Sequence, residues 1–299
     1  MSHHKEVNRL VLGTAQFGMS YGIANQNGKP NHATATEIIR KAWESGIREF
    51  DTGQGYGDSE TVLGKAFLAL KLSEKALVIS KFSPQLDHLN ANIMSEALEQ
   101  SLEKLGVPVL YGIMLHREEL ISYWDQGLKQ ILRNFVKSGK VKKVGISVYS
   151  PEKAILALNT DGIDFVQFPS NILDRRFEQA KVFELADQLN KRIYIRSVFL
   201  QGLILMLPEE IPETLDFTRP VIAKINSLAD ELKLKRQELA LGYLKMEMPH
   251  SQIIFGAEQA EQVDLNVECW MKNYSDSLTS TVKCSFTNIS EKIINPTLW

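Results

Sequence analysis

The chain has 299 residues, 44% hydrophobic and 23% charged, with a formal net charge of −2. This is ordinary globular composition. With no basic or acidic block it offers nothing to a nucleic-acid partner, and no apolar run is long enough to span a bilayer.

Only two cysteines occur, Cys269 and Cys284, and neither has the spacing of a zinc site. The opening MSHHKEVNRL lacks the apolar core of a secretion signal, so a reduced, cytoplasmic setting is expected. His3 and His4 are read as part of a loose terminus, not as metal ligands, and no metal site is expected.

In chain order, RLVLG at 9–13 reads as a first strand. A helix is expected over 34–46, because Ile38, Ile39, Ala42 and Trp43 share one face. Thr34 and Glu37 have capping-box spacing, and Gly46 suits the stop. IREFD at 47–51 reads as a second strand. Val62, Leu63, Ala66, Phe67 and Leu70 make the next helical stripe. ALVIS at 76–80 is strand-like, 90–105 helical, and VLYGIMLH at 109–116 strand-like. Leu128, Ile131, Leu132, Phe135 and Val136 form a helix face ending before Gly139. Further strands are expected at 143–147, 163–167, 192–196 and 252–256, with room for two helices over 221–244.

Strands that alternate with helices imply a parallel sheet, because each return must cross over. Eight such units at this length fit an α/β fold, a single-domain (β/α)8 TIM barrel over residues 1–299. The alternative, an open doubly wound sheet, normally carries a glycine-rich phosphate turn after its first strand. LGTAQFG at 12–18 is not GxGxxG. Residues from about 268 to 299, with Trp270 and Trp299, are read as a C-terminal tail packed over the barrel.

Working groups of such barrels sit at the carboxyl ends of the strands. Those ends here carry Asp51, Lys81, His116, Ser147, Gln167, Arg196 and Ser197. Singly each has a bland reading: a turn cap for Asp51, a solvated lysine, a satisfied core histidine. Their convergence on one rim points to a site. Tyr56, in FDTGQGYGDSE at 50–60, supplies a phenol. A nearby ammonium, Lys81, would lower its pKa, and Asp51 would hold that ammonium charged. His116 would hydrogen-bond a substrate oxygen. Such a set can protonate a carbonyl whose carbon receives a hydride, and the hydride must come from a nicotinamide or similar cofactor.

At this point the sequence resembles the aldo-keto reductase family. LGTAQFG is similar to the family's opening strand motif, and FDTGQGYGDSE to its Asp-Thr-x-x-x-Tyr-Gly-x-Ser-Glu signature. VISKF and IMLHRE resemble its lysine and histidine motifs, and GKVKKVGIS and FVQFPSNILDRR its fifth and sixth strands. The resemblance implies a catalytic tetrad of Asp51, Tyr56, Lys81 and His116, with Tyr56 as general acid in reduction. It implies NAD(P)H across the barrel mouth. Gly13 and Thr14 would lie beside it, with Gln167 and Ser147 on its carboxamide. Ser197, Phe199 and Gly202 would hold its diphosphate, and Gly256, Gln262 and Asn266 its adenosine end.

The chain departs from the family pattern in three places. Val148 stands where Asn often follows the serine, which puts one carboxamide hydrogen bond in doubt. Arg196 replaces an aromatic residue that stacks on the nicotinamide; it would stack in its place or pair with an anionic substrate group. Glu258 and Gln262 stand where basic residues grip a 2′-phosphate. NADP(H) is the family default, and these two residues leave NAD(H) open. Phe17 and Tyr21 are expected at the substrate or packed beneath its loop. The polar NQNGKPN run at 25–31 suits either a sugar-type substrate or an exposed loop.

The expected function is NAD(P)H-dependent reduction of an aldehyde, ketone or sugar-type carbonyl. Two alternatives stand beside it. One is a lyase or aldolase-type barrel forming a Schiff base on Lys81. The other is a non-enzymatic subunit that senses nicotinamide nucleotides. No nucleic-acid or membrane partner is expected, and no oligomeric state is read from the sequence.

Overall fold

A computed structural model of the protein describes residues 6–299; His3 and His4 lie outside the described residues. Eight strands close into a barrel in sequence order. They are β1 (Leu10–Gly13), β2 (Glu49–Asp51), β3 (Leu77–Lys81), β4 (Leu110–Leu115), β5 (Val141–Ser147), β6 (Phe165–Pro169), β7 (Arg192–Arg196) and β8 (Gln252–Gly256). Every neighbouring pair is parallel, and β1 closes the ring against β8. The single-domain (β/α)8 barrel expected from the alternation is the fold observed.

Side chains of a strand alternate between its two faces. Leu10, Leu12, Phe50, Val78, Ile113, Ile146, Val166, Ile193, Ile195 and Phe255 point outward into the shell of helices. Val11, Ile79, Met114, Phe165, Tyr194 and Ile254 point inward and make a separate apolar layer across the barrel. Two residues further along each of these six strands stand Gly13, Lys81, His116, Gln167, Arg196 and Gly256. One period of the strand therefore converts an apolar plug into a polar rim. Below the plug, Glu49 is buried and satisfied. Tyr194 donates its hydroxyl to Oε2 at 2.6 Å, and Oε1 accepts from Arg192 at 2.9 Å and Gln252 at 3.1 Å.

Phe165 fills the barrel only because its neighbours have no side chains. A Cβ on Gly145 would lie 2.3 Å from its ring, and one on Gly112 2.8 Å.

The first crossover helix runs His32–Glu44. Its cap is Asn31, whose side chain accepts from the Thr34 amide at 2.9 Å, and not the expected Thr34–Glu37 box. A short Asn side chain before the first turn satisfies that donor, so the helix starts earlier. The stretch after β7 holds two helices, Arg219–Leu232 and Arg236–Glu247.

The helix after β8, Ala260–Met271, carries Trp270, which is fully buried. Its indole N–H donates to the Glu6 carbonyl at 2.9 Å, and Arg9 lies 4.7 Å from the ring centroid. A further helix, Ser277–Ser285, buries Leu278 and Val282, and its Lys283 pairs with Glu178 and Glu247. No described helix is long and apolar enough to cross a membrane.

Gly145→Ala should destabilise the barrel by about 1–3 kcal/mol, the usual range for overpacking a core. Adding Phe165→Leu should return part of that loss. Thermal unfolding of the single and double variants reads both effects.

Candidate active site

The stretch 50–60 divides its polar residues between anchoring and display. Ser59 donates to the Thr14 carbonyl at 2.7 Å and its hydroxyl lies 2.9 Å from the Thr14 hydroxyl and 3.1 Å from the Thr52 hydroxyl. Glu60 is buried and accepts from Ser80 at 2.6 Å. Gln54 donates to the Ala97 carbonyl at 2.8 Å and accepts from the Ser83 amide at 2.9 Å. Gly57 has φ +57°, and a Cβ there would lie 2.3 Å from the Gly18 carbonyl oxygen. The loop is thus pinned at both ends, and Tyr56 is what it presents.

Under the loop lies a buried ion pair. Lys81 Nζ donates to Asp51 at 2.6 and 2.8 Å and to the Thr52 carbonyl at 2.9 Å. These contacts use the three donors of an ammonium. Burial draws the Lys81 pKa below its ordinary value, against the opposing pull of the Asp51 carboxylate. With both carboxylate oxygens at hydrogen-bond length, the group is held as an ammonium. It lies 4.9 Å from the centre of the Tyr56 ring.

The Tyr56 pKa runs opposite to the expectation. Burial and the Asp51 carboxylate push the phenol well above its ordinary value, with Arg196 opposing. Lys81 does not lower it on balance because its charge is matched by Asp51, which the ring also faces. Tyr56 therefore carries its proton at physiological pH. The His116 ring stands edge-on to it, centroids 5.8 Å apart at 86°. Burial, helped by Lys81 and Arg196, holds the His116 pKa down to about 4, so the imidazole is neutral.

Gln167 is fully buried and donates its amide N–H to Asp51 at 2.8 Å. Because a carboxylate only accepts, this contact turns Gln167 Oε1 towards the cavity, where it has no partner. Six buried side-chain atoms lack a partner among the described residues, and four of them belong to residues around one cavity: His116 Nδ1, Gln167 Oε1, Arg196 Nη2 and Asn266 Oδ1. Buried polar groups are normally paired, so this clustering marks a ligand's place. Unpartnered amide oxygens at Gln167 and Asn266 suit the carboxamide and the amino-bearing base of a nicotinamide nucleotide.

The cavity has a volume of about 340 Å³. Its walls include Tyr56, His116, Asp51, Ser147 and Gln167. Gly13, Thr14, Arg196 and Ser197 lie along it, with Phe199 and Gly202. Gly256, Glu258, Gln262 and Asn266 line it too. Ser197, Leu200 and Gln201 all have φ between 49° and 59°, a conformation non-glycine residues adopt at a cost. The amide of Ile23 donates to the Gln201 carbonyl at 3.0 Å, which ties the loop after β1 to the segment after β7.

The structure corrects some expectations and narrows alternatives that the sequence leaves open. Phe17 is fully buried in the hydrophobic core and does not reach the cavity; Tyr21 does line it. Lys81 lies beneath the cavity and not in its wall. Val148 is fully buried in the outer core, so that position does not face the cavity. Gln262 lines the cavity, but its Oε1 already accepts the amide of Glu258 at 2.6 Å. The NQNGKPN run folds on itself. Asn25 accepts from the amides of Asn27 and Gly28 at 3.0 and 2.7 Å, and none of residues 25–31 lines the cavity.

Sequence reasoning missed Gln16, Tyr149 and Gln237, which line the same cavity. Tyr149 was legible, since it stands two residues past Ser147. Gln237 comes from the helix Arg236–Glu247 and gave no signal.

A model of the Aldo/keto reductase family matches residues 9–284. The chain is 25% identical over 190 residues to aldo-keto reductase YhdN of Bacillus subtilis, covering 58% of this chain and 54% of that one. It is 29% identical over 162 residues to 6-dehydroglucose reductase of Novosphingobium aromaticivorans, covering 50% and 52%. The chain thus spans about half the length of these curated relatives. Against pyridoxal 4-dehydrogenase of Microbacterium luteolum the match covers 93% of both chains at 23% identity. Among solved structures, the holo form of an aldo-keto reductase from Bacillus halodurans superposes with a TM-score of 0.74 at 19% identity, over 96% of this chain and 95% of that one. At that identity the likeness is one of fold.

Two measurements follow from this geometry. Lys81→Met or Asp51→Asn alone leaves a buried group without its partner and should cost about 3–5 kcal/mol of stability. The double variant should cost less than the two singles summed, as read by denaturant unfolding. His116 has a folded pKa near 4 against an ordinary 6.5. The unfolded chain then binds the proton first, so stability should fall as pH drops from about 6.5 to about 4. His116→Asn should flatten that part of the stability–pH curve.

Proposed function

The chain belongs to the aldo/keto reductase family, and on that footing we propose that it is a nicotinamide-dependent oxidoreductase that reduces the carbonyl of a small molecule to an alcohol. The reading is carried by one observation. Tyr56 and His116 border the same cavity as the unpartnered oxygen of Gln167, directly above the Lys81–Asp51 pair.

In this proposal Gln167 Oε1 and Ser147 hold the carboxamide. Ser197, Phe199 and Gly202 border the diphosphate, and Asn266 meets the adenine. The bound cofactor supplies the hydride. Tyr56 gives its proton to the carbonyl oxygen, and neutral His116 donates a hydrogen bond to that oxygen. The phenolate left behind lies beside the Lys81 ammonium, which Asp51 keeps in place. General acid help of this kind contributes about 10²–10⁴ in rate.

Glu258 borders the cavity, and burial pushes its pKa up; we place it at the adenosine end, as the resemblance implies. An acidic side chain there disfavours a 2′-phosphate, which supports NAD(H) over NADP(H). The substrate is a small, hydroxylated carbonyl compound. Support comes from the similarity to proteins named 6-dehydroglucose reductase and pyridoxal 4-dehydrogenase, not from the polar run at 25–31.

Lys81 has no path to a Schiff base here. It is fully buried, its three N–H donors are engaged, and it does not border the cavity.

Tyr56→Phe should lower kcat by about 10²-fold or more and leave the Kd for the reduced cofactor within about twofold. A panel of aldehydes and hydroxylated ketones, followed by loss of nicotinamide absorbance, reads the first effect, and fluorescence titration the second. Equal loss of both would make Tyr56 structural.

A further inference from the structure

The cavity holds a cation that no acidic group among the described residues balances. Lys81 is matched by Asp51, with Nζ 2.6 Å from the carboxylate. His116 is neutral above a pKa of about 4. Arg196 differs. Its guanidinium carbon stands 4.3 Å from the centre of the Tyr149 ring, and Nη1 reaches only the Ser197 hydroxyl at 3.4 Å. Nη2 is buried with no hydrogen-bond partner, and no acidic side chain among the described residues pairs with the guanidinium. The group cannot discharge itself, because arginine stays protonated in proteins.

Arg196 also acts on the end of the cavity where the proton moves. It pulls down the pKa values of both Tyr56 and His116. A nicotinamide placed to react with a carbonyl held by those two residues lies within the same field. Its oxidised ring carries a positive charge, and its reduced ring carries none. An aromatic residue at this place would favour the oxidised ring through its π face. An arginine does the reverse.

We infer that Arg196 makes this cavity select the reduced, uncharged nicotinamide over the oxidised, cationic one, and so sets the site to run as a reductase. This rests on the nicotinamide reading above and adds a direction to it. Two unit charges a few ångströms apart in a partly dry cavity change a binding ratio by about tenfold or more. A tenfold ratio equals a shift of about 30 mV in the bound two-electron couple. The released product nucleotide would leave more readily than the reduced form for the same reason.

The experiment is a comparison of Kd values for NADH and NAD+, and for NADPH and NADP+, by nicotinamide fluorescence and displacement. The wild type should hold the reduced form about tenfold or more tightly. R196Q should shrink that ratio several-fold, and R196K should keep it. R196H provides an internal control if R196Q does not fold, since its ratio should rise as pH falls and the imidazole gains charge. An unchanged ratio in R196Q, or a pH-independent ratio in R196H, would overturn the inference. So would equal weakening of both forms, which would assign the charge to the diphosphate. Absence of binding by any of the four nucleotides would defeat the nicotinamide reading itself.

Discussion

The buried pair of Lys81 and Asp51 is the interaction on which the site depends. Neither charge is tolerable alone at that depth. Together they use both carboxylate oxygens, the Thr52 carbonyl and the amide of Gln167. The pair therefore does three things at once. It fixes the turn that carries Tyr56, it orients Gln167 so that its oxygen faces the cavity, and it sets a cation close to the phenol. Burial, with the acid next to Tyr56, keeps the phenol protonated, and in the proposed reaction the ammonium 4.9 Å from the ring centre would stand beside the phenolate.

The barrel supplies these positions by a simple alternation. On six of the eight strands the inward-facing rim residue stands one strand period above a residue of the apolar plug. Val11 leads to Gly13, Ile79 to Lys81, Phe165 to Gln167 and Tyr194 to Arg196. The plug keeps water from the lower side of the ion pair. Glycines at 112 and 145 admit the Phe165 ring that fills it.

Much of this was legible because period and position carry chemistry in a parallel barrel. The eight strands appear as short β-branched runs, and a polar residue at the end of an apolar run stands out. Lys81, His116 and Gln167 were found that way. What failed was whatever depends on packing. Phe17 and Tyr21 look alike in sequence, yet one is core and the other borders the cavity. The polar run at 25–31 suited a sugar contact or an exposed loop equally, and its Asn25 organises its own turn. The sign of the Tyr56 shift was also out of reach, since it depends first on how deeply the ring is buried and then on the Asp51 carboxylate. Gln237 arrives from a helix whose pattern gives no reason to single it out.

The most direct test of the account follows a label. The protein would be incubated with nicotinamide cofactor deuterated at the transferring carbon and with a set of small hydroxylated carbonyl compounds. Mass spectrometry and NMR would then locate the label in the alcohol formed. The account predicts one deuterium on the former carbonyl carbon and none on oxygen after exchange. An alcohol without deuterium, or a trapped lysine adduct in place of any alcohol, would contradict it.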